Sequence, residues 1–242
     1  MNVPYKHLVF EGGGVKGVAY AKIPLALDEF GILPNITKIA GSSAGAIIAV
    51  LLSLKYTPKE IYEVIKNTNF SRFKDSSHSY TMTIFRLMFK SGVHSGARFE
   101  KWIKTQILYK TGYRDTTFRQ LFDITGIELV LTGTCFGTRK TEYFSYKTKP
   151  NMPIWLACRI SMSIPCYYYP VKIDLEQYVD GGMLYNYPIW VFDSPYSYEF
   201  KRNNLDFLSD ETLGFKLISK QKKDFLSTLP SILPVIKTFY NL

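Results

Sequence analysis

The sequence is poor in the residues that hold metals and in those that build disulfide frameworks. Its three cysteines, Cys135, Cys158 and Cys166, show no CxxC spacing. That argues against a disulfide framework or a zinc site and sets a reducing compartment as the expectation. Its three histidines, His7, His78 and His94, all fall in the first 94 residues. Long apolar runs are missing as well. The longest, Ala44 to Leu54, is broken by Ser53 and falls short of the roughly 18–20 residues that cross a bilayer, so no transmembrane anchor is expected. The N-terminus runs Met-Asn-Val-Pro-Tyr-Lys-His, turns glycine-rich at Gly12 after one short apolar stretch and does not read as a secretory signal. A cytoplasmic or peripheral-membrane location is therefore expected, with non-classical secretion left open. Acidic residues are in deficit, 20 against 30 Lys+Arg, which leaves a net charge of +10. Such a surplus attracts polyanions. Zinc-finger spacing, basic-region heptads and an RNP-type aromatic signature are all absent, so nucleic acid is not an expected partner. An anionic membrane surface is favoured once the chemistry below is considered.

What is present fits one ordinary domain spanning residues 1–242, with 46% hydrophobic and 21% charged residues. His7 to Phe10 reads as a buried strand ending at glycines. Val15 to Phe30 has helical spacing that Pro24 must interrupt, and Gly31 is a plausible stop. Ile36 to Ala40 is a second strand, and Ala44 to Leu54 a small-residue helix suited to close packing on a sheet. This βαβα start predicts a parallel sheet with helices on its faces. Thr57 and Pro58 open a further helix as cap and first residue. Residues 70–98 read as a surface excursion or lid, with His78 and His94 on it. Phe99 to Tyr109 reads as an amphipathic helix and Thr117 to Leu121 as a short capped turn. Glu128 to Thr134 and Lys140 to Tyr146 read as a hairpin, Ile154 to Met162 as helix, and Tyr167 to Ile173 and Gln177 to Val179 as strands. A tail over 219–242 carries apolar residues at helical spacing, although Pro230 and Pro234 break it; packing is favoured there over a membrane foot.

Three motifs carry chemistry. Gly12-Gly13-Gly14-Val15-Lys16-Gly17 satisfies G-x-G-x-x-G between a strand and a helix. A dinucleotide loop would need an acid at the end of the second strand, and that strand ends Ala40-Gly41-Ser42-Ser43. The other use of such glycines is an anion hole of backbone N–H groups at the positive end of a helix, able to hold an oxyanion. Gly41-Ser42-Ser43-Ala44-Gly45 matches G-x-S-x-G at a strand-to-helix turn. Ser43 is then the candidate nucleophile and the N–H of Ala44 a second oxyanion donor.

A serine nucleophile needs a base. The Ser–acid–His order of elbow hydrolases is unavailable, because no histidine follows His94. An esterase using His78 or His94 out of order stays the nearest enzymatic rival. The third motif, Asp180-Gly181-Gly182 at the end of a strand, offers a carboxylate instead. A free aspartate has a pKa near ~3.9 and is a weak base, so Asp180 would need partial desolvation.

Together these residues resemble the patatin-like phospholipases. Gly12 to Gly17 matches that family's oxyanion motif, with Lys16 where the family has Arg or Lys. Gly41 to Gly45 matches its elbow, and Asp180 to Gly182 its Asp-Gly-Gly. Arg159 to Pro165 looks like the block before the Asp strand, and Asn186-Tyr187-Pro188 like the Asn-x-Pro that follows it. The resemblance covers about residues 5–190. It implies a three-layer α/β/α fold with a mostly parallel central sheet. It further implies hydrolysis of a fatty acyl ester by a Ser43–Asp180 dyad with no cofactor and no metal. Gly12, Gly13, Gly14, Lys16, Gly17 and Ala44 would form the oxyanion site, and Gly41, Gly45, Gly181 and Gly182 would shape the turns. The implied partners are a phospholipid or other acyl lipid at a membrane surface and, as in some relatives, a protein activator. A catalytically silent membrane- or nucleotide-binding relative using the glycine loop is the alternative.

Overall fold

A computed structural model describes residues 4–74, 91–193 and 210–218. The tail over 219–242 and His78 lie outside the described residues. The fold is of the expected α/β class: a central sheet, parallel through its middle, with flanking helices. Strands β1 (His7–Phe10), β2 (Lys38–Gly41), β3 (Glu128–Cys135) and β7 (Thr212–Phe215) run parallel in the order β3-β2-β1-β7. Strands β4 (Lys140–Phe144), β5 (Val171–Ile173) and β6 (Glu176–Asp180) extend it antiparallel.

The register on β3 decides where the site forms. Leu131 pairs with both Gly41 of β2 and Phe144 of β4, so those strands lie on opposite edges of β3. Gly133 pairs with both Glu142 of β4 and Asp180 of β6. Strands β2 and β6 therefore share one edge of β3 and approach each other head to head. Gly41 ends one strand and Asp180 the other, two partner positions apart on β3.

Side chains alternate between the faces with period two. Leu8, Phe10, Ile39, Leu129 and Leu131 enter the main core, while Val9, Ala40 and Val130 meet Val191 and Phe192 on the other face. Helix α2 (Ala44–Ser53) lies against β1, β2 and β3 with every residue buried. Each fully buried Leu or Ile there contributes roughly 1.5–3 kcal/mol. Helix α6 (Ile154–Ser161) packs on β3 and β6.

The sequence-derived elements hold with specific corrections. The segment expected as one kinked helix is a 3-10 stretch, Gly14–Lys22, followed by α1 (Ile23–Glu29). Pro24 sits in the first turn of α1, where its missing N–H costs nothing. Thr57 caps α3 (Pro58–Asn67) with a reciprocal box: its N–H donates to Glu60 Oε2 at 2.7 Å and its Oγ1 accepts from Glu60 N–H at 3.2 Å. Thr117 makes the same box with Gln120, and what reads as a short turn is the full helix α5 (Phe118–Thr125). The strand expected over 167–173 shrinks to β5, because Cys166 takes φ +65° and the chain turns there. Strand β7 was not expected: Gly214 sits in its centre, where the Tyr187 hydroxyl leaves no room for a Cβ. The ends of the 70–98 excursion are packed rather than on the surface. Phe73 stacks edge-on against Phe99 of α4 (Ala97–Thr111). His94 is buried, with its ring 4.8 Å from that of Tyr167.

Candidate active site

Ser43 sits between β2 and α2 with φ 49° and ψ −122°, a conformation that L side chains rarely adopt. The turn is tight because glycines flank it. A Cβ on Gly41 would lie 2.3 Å from the Gly45 carbonyl oxygen, and one on Gly45 2.4 Å from that of Phe10. Helix α2 thus starts directly on the sheet, and the serine is held where strand becomes helix. The Ser43 N–H, which the first turn of α2 cannot use, donates to Ser161 Oγ at 2.9 Å.

Asp180 ends β6 beside it. Ser43 Oγ donates to Asp180 Oδ2 at 2.7 Å across 137 residues of chain. Oδ1 accepts the Gly182 N–H at 2.6 Å, which fixes the carboxyl plane. The backbone of Asp180 is fixed too: its N–H donates to Ser163 O at 3.0 Å, and its carbonyl accepts from Thr134 Oγ1 at 3.1 Å. Gly181 lies against Thr132, too close for a side chain. Serine and aspartate are each only 5% exposed. Burial raises the Asp180 pKa to about 7, against the opposing pull of the hydrogen bonds from Ser43 and Gly182. The pair is a hydroxyl facing a carboxylate that takes up a proton near neutral pH.

The glycine loop abuts this pair. A Cβ on Gly12 would meet Asn186 Oδ1 and the Ser43 Cβ, and one on Gly17 would lie 2.5 Å from the Ala44 Cβ. Gly14 takes φ +55° with open space around it. Not every residue of the loop offers its amide. The Gly12 N–H donates to Asn186 O at 3.0 Å and the Lys16 N–H to Gly13 O at 3.1 Å. Among the described residues, the amides of Gly13, Gly14 and Ala44 have no protein acceptor. Lys16 and Gly12 shape the loop, and the Lys16 side chain is exposed.

Sequence reasoning brought Ser43, Asp180 and the glycine loop together but gave no structural role to two residues. Asn186 Nδ2 donates to Gly12 O at 2.9 Å, so its side chain and backbone both clamp the loop to the segment after Asp180. The only signal for it was the Asn-x-Pro after the Asp motif. Ser161, holding the Ser43 amide, lay inside the block before the Asp strand. Among the described residues, no cluster of three or more His, Cys, Asp and Glu could hold a metal ion, and no helix is long and apolar enough to cross a membrane.

An α/β sheet with a strained serine elbow, a buried aspartate bonded to the serine and a glycine loop against the elbow defines a class of protein. The profile of the family described as patatin-like phospholipase matches residues 8–193, and the chain belongs to that family. It is 34% identical over 193 residues to the uncharacterized protein YqhO of Bacillus subtilis, covering 76% of this chain and 65% of that one. It is 33% identical over 202 residues to the probable lipid hydrolase 463L of Invertebrate iridescent virus 6, covering 82% and 66%. The chain thus spans about two thirds of the length of these two relatives. In fold it is similar to the crystal structure of VipD from Legionella pneumophila, with a TM-score of 0.61 at 19% identity over 87% of this chain and 49% of that one. It is also similar to ExoU of Pseudomonas aeruginosa, solved in complex with SpcU, with a TM-score of 0.50 at 23% identity over 67% of this chain and 39% of that one. Family membership supports lipid hydrolase activity in general.

Proposed function

We propose that the chain is a lipid acyl hydrolase of the phospholipase A or lysophospholipase type, working through a Ser43–Asp180 dyad. The observation that carries this reading is the 2.7 Å hydrogen bond from Ser43 Oγ to the buried carboxylate of Asp180. Ser43 Oγ attacks the acyl carbonyl carbon while its proton passes to Asp180. The oxyanion is held by the N–H groups of Gly13, Gly14 and Ala44, which face no protein acceptor among the described residues. Collapse breaks the bond to the leaving alkoxide, which takes the proton back from Asp180, and leaves an acyl ester on Ser43. Water then attacks that ester, giving its proton to Asp180. The second collapse frees the fatty acid and returns the proton to Ser43.

Three features support a lipid as the acyl donor. Val15 lies within the glycine loop and Met183 and Leu184 follow the Asp motif, and all are exposed apolar side chains. Lys16 and Lys216 are exposed at the same end of the sheet, as anionic head groups require. One relative bears the name of a lipid hydrolase and another that of a triacylglycerol lipase. A membrane surface is then the working partner, and a protein activator is compatible with the same site.

The test is product analysis on mixed phospholipid vesicles with wild type and Ser43→Ala, alongside labelling by a fluorophosphonate probe. Free fatty acid and lysophospholipid from wild type alone, with the label on Ser43, support the reading. A purified Ser43→Ala protein that keeps wild-type hydrolysis shows the reading to be wrong.

A further inference from the structure

Ser43 follows one strand and Asp180 ends another, yet both donate a backbone hydrogen bond to the same stretch of chain. At the last residue of α6, Ser161 Oγ accepts the Ser43 N–H at 2.9 Å. Two residues on, the Ser163 carbonyl accepts the Asp180 N–H at 3.0 Å. One turn therefore binds the backbone of both members of the pair. Ser161 and Ser163 are fully buried, so neither bond competes with water.

That turn is itself held. Arg159, in the last turn of α6 just before it, is a buried cation, 4% exposed. One arm of its guanidinium donates to Ser163 Oγ, and the other to Ser95 O at 2.7 Å and Tyr169 O at 3.2 Å. Its plane lies over the Tyr168 ring, 5.1 Å from the centroid. Ser163 Oγ donates in turn to Arg159 O at 2.8 Å. Gly96, at φ +76°, is the neighbour that leaves room, since a Cβ there would lie 2.3 Å from Arg159 Nε. Burying a guanidinium is a costly way to fill space, and an apolar side chain of similar volume serves stability as well. Its planar fork does what an apolar side chain cannot: it fixes three groups from three segments at set distances and angles.

We propose that Arg159 and Ser161 are positioning residues, and that the end of α6 is a gauge holding Ser43 and Asp180 at reacting distance. Neither side chain touches the pair's reacting atoms. Ser161 acts through the amide of Ser43, and Arg159 through Ser163 and the backbone of Asp180. The inference rests on the Ser43–Asp180 reading of the site.

The test measures hydrolysis of a soluble p-nitrophenyl ester, so that membrane binding does not enter. Ser161→Ala and Arg159→Met are compared with wild type as kcat per site titrated by a fluorophosphonate. Titration counts only folded, reactive protein. Loosening a reacting geometry costs up to ~10²-fold, so kcat per titrated site should fall ~10–100-fold with KM within about twofold. A thermal midpoint that drops while kcat per titrated site stays at the wild-type value overturns the proposal, because the residues then only stabilise the fold. If either variant yields no titratable protein, Arg159→Lys decides. It keeps the charge and loses the fork, so a fall in kcat per site supports the gauge and an unchanged kcat overturns it. Ser43→Ala is the control: activity surviving there removes the dyad reading itself, whereas a dead Ser43→Ala with fully active gauge variants removes the gauge alone.

Discussion

Gly41 and Asp180 lie end to end along one edge of β3, partnered there by Leu131 and Gly133. Two strands of opposite direction stop against each other, and Asp180 at the end of one faces Ser43, two residues past the end of the other. The hydrogen-bond register of the sheet thus brings the two strand ends together, and the turns beyond them complete the Ser43–Asp180 contact. Removing either side chain leaves that register intact.

Ser43→Ala and Asp180→Asn should each lower ester hydrolysis by at least ~10³-fold, because a nucleophile and its base act as a unit. Circular dichroism and the cooperativity of the melt should stay those of wild type. Substantial activity in either variant would contradict the dyad.

Activity should depend on pH through Asp180. Its pKa is raised to about 7 by burial, and a base must be ionised to accept the proton. The kcat/KM for a neutral soluble ester should therefore rise from acid to a plateau, with a midpoint near that value. Stability should run the other way. Because the folded pKa exceeds the unfolded one, this group's contribution is present below pH 4 and is lost as pH rises through about 7. Asp180→Asn should melt several degrees above wild type at pH 8, and the two should converge at low pH. Parallel melts at both pH values check this.

Much of this site is legible in the sequence because its parts are turns that demand glycine. Gly41 and Gly45 flank the serine, and Gly181 and Gly182 follow the aspartate. What stays hidden is long-range pairing. Nothing local announces that Ser161 meets the Ser43 amide 118 residues away. Strand β7 is hidden for the same reason, since its central glycine lowers strand propensity and is explained by Tyr187 and Ile189 packing on it. His94 reads as surface because its polar neighbours dominate the pattern, whereas the fold buries it against Tyr167 and Tyr168.

The backbone at Ser43 stores strain that glycine would not feel. At φ 49° and ψ −122° a side chain costs of order 1–3 kcal/mol. Ser43→Ala keeps that strain and Ser43→Gly relieves it, less the ~0.5–1 kcal/mol that glycine adds to unfolded-state entropy. Ser43→Gly should therefore be the more stable of the two inactive variants by ~1 kcal/mol in urea titration. Equal midpoints would limit the strain to the ~0.5–1 kcal/mol that glycine costs, and a less stable Ser43→Gly would mean the elbow is unstrained.

The glycines of the first motif should separate by what surrounds them. Gly17→Ala puts a methyl 2.5 Å from the Ala44 Cβ, at the start of α2. Displacing that residue moves an oxyanion donor, so the rate should fall ~10²–10³-fold. Gly14→Ala meets nothing within 4 Å and suffers only its positive φ, a cost of ~1–2 kcal/mol. Folded Gly14→Ala should keep activity within about tenfold. Equal losses in the two variants would show that backbone freedom, not space, is what the loop needs.

The charge of the chain should govern how it reaches its substrate. With a net charge of +10, and Lys16 and Lys216 exposed beside the glycine loop and the end of β7, attraction to an anionic surface is a sum over separated exposed charges. Such sums are screened by salt, since the Debye length falls from about 10 Å at 0.1 M to about 3 Å at 1 M. Burial of exposed apolar side chains such as Val15 and Leu184 is not weakened by the same change. Binding to anionic vesicles in a flotation assay should therefore drop steeply between those salt concentrations, and binding to zwitterionic vesicles should be weak in both. Hydrolysis of a soluble ester should be unaffected by the salt, which separates recruitment from chemistry. Vesicle binding that ignores both salt and lipid charge would place the apolar side chains, and not the basic surface, in control of the encounter.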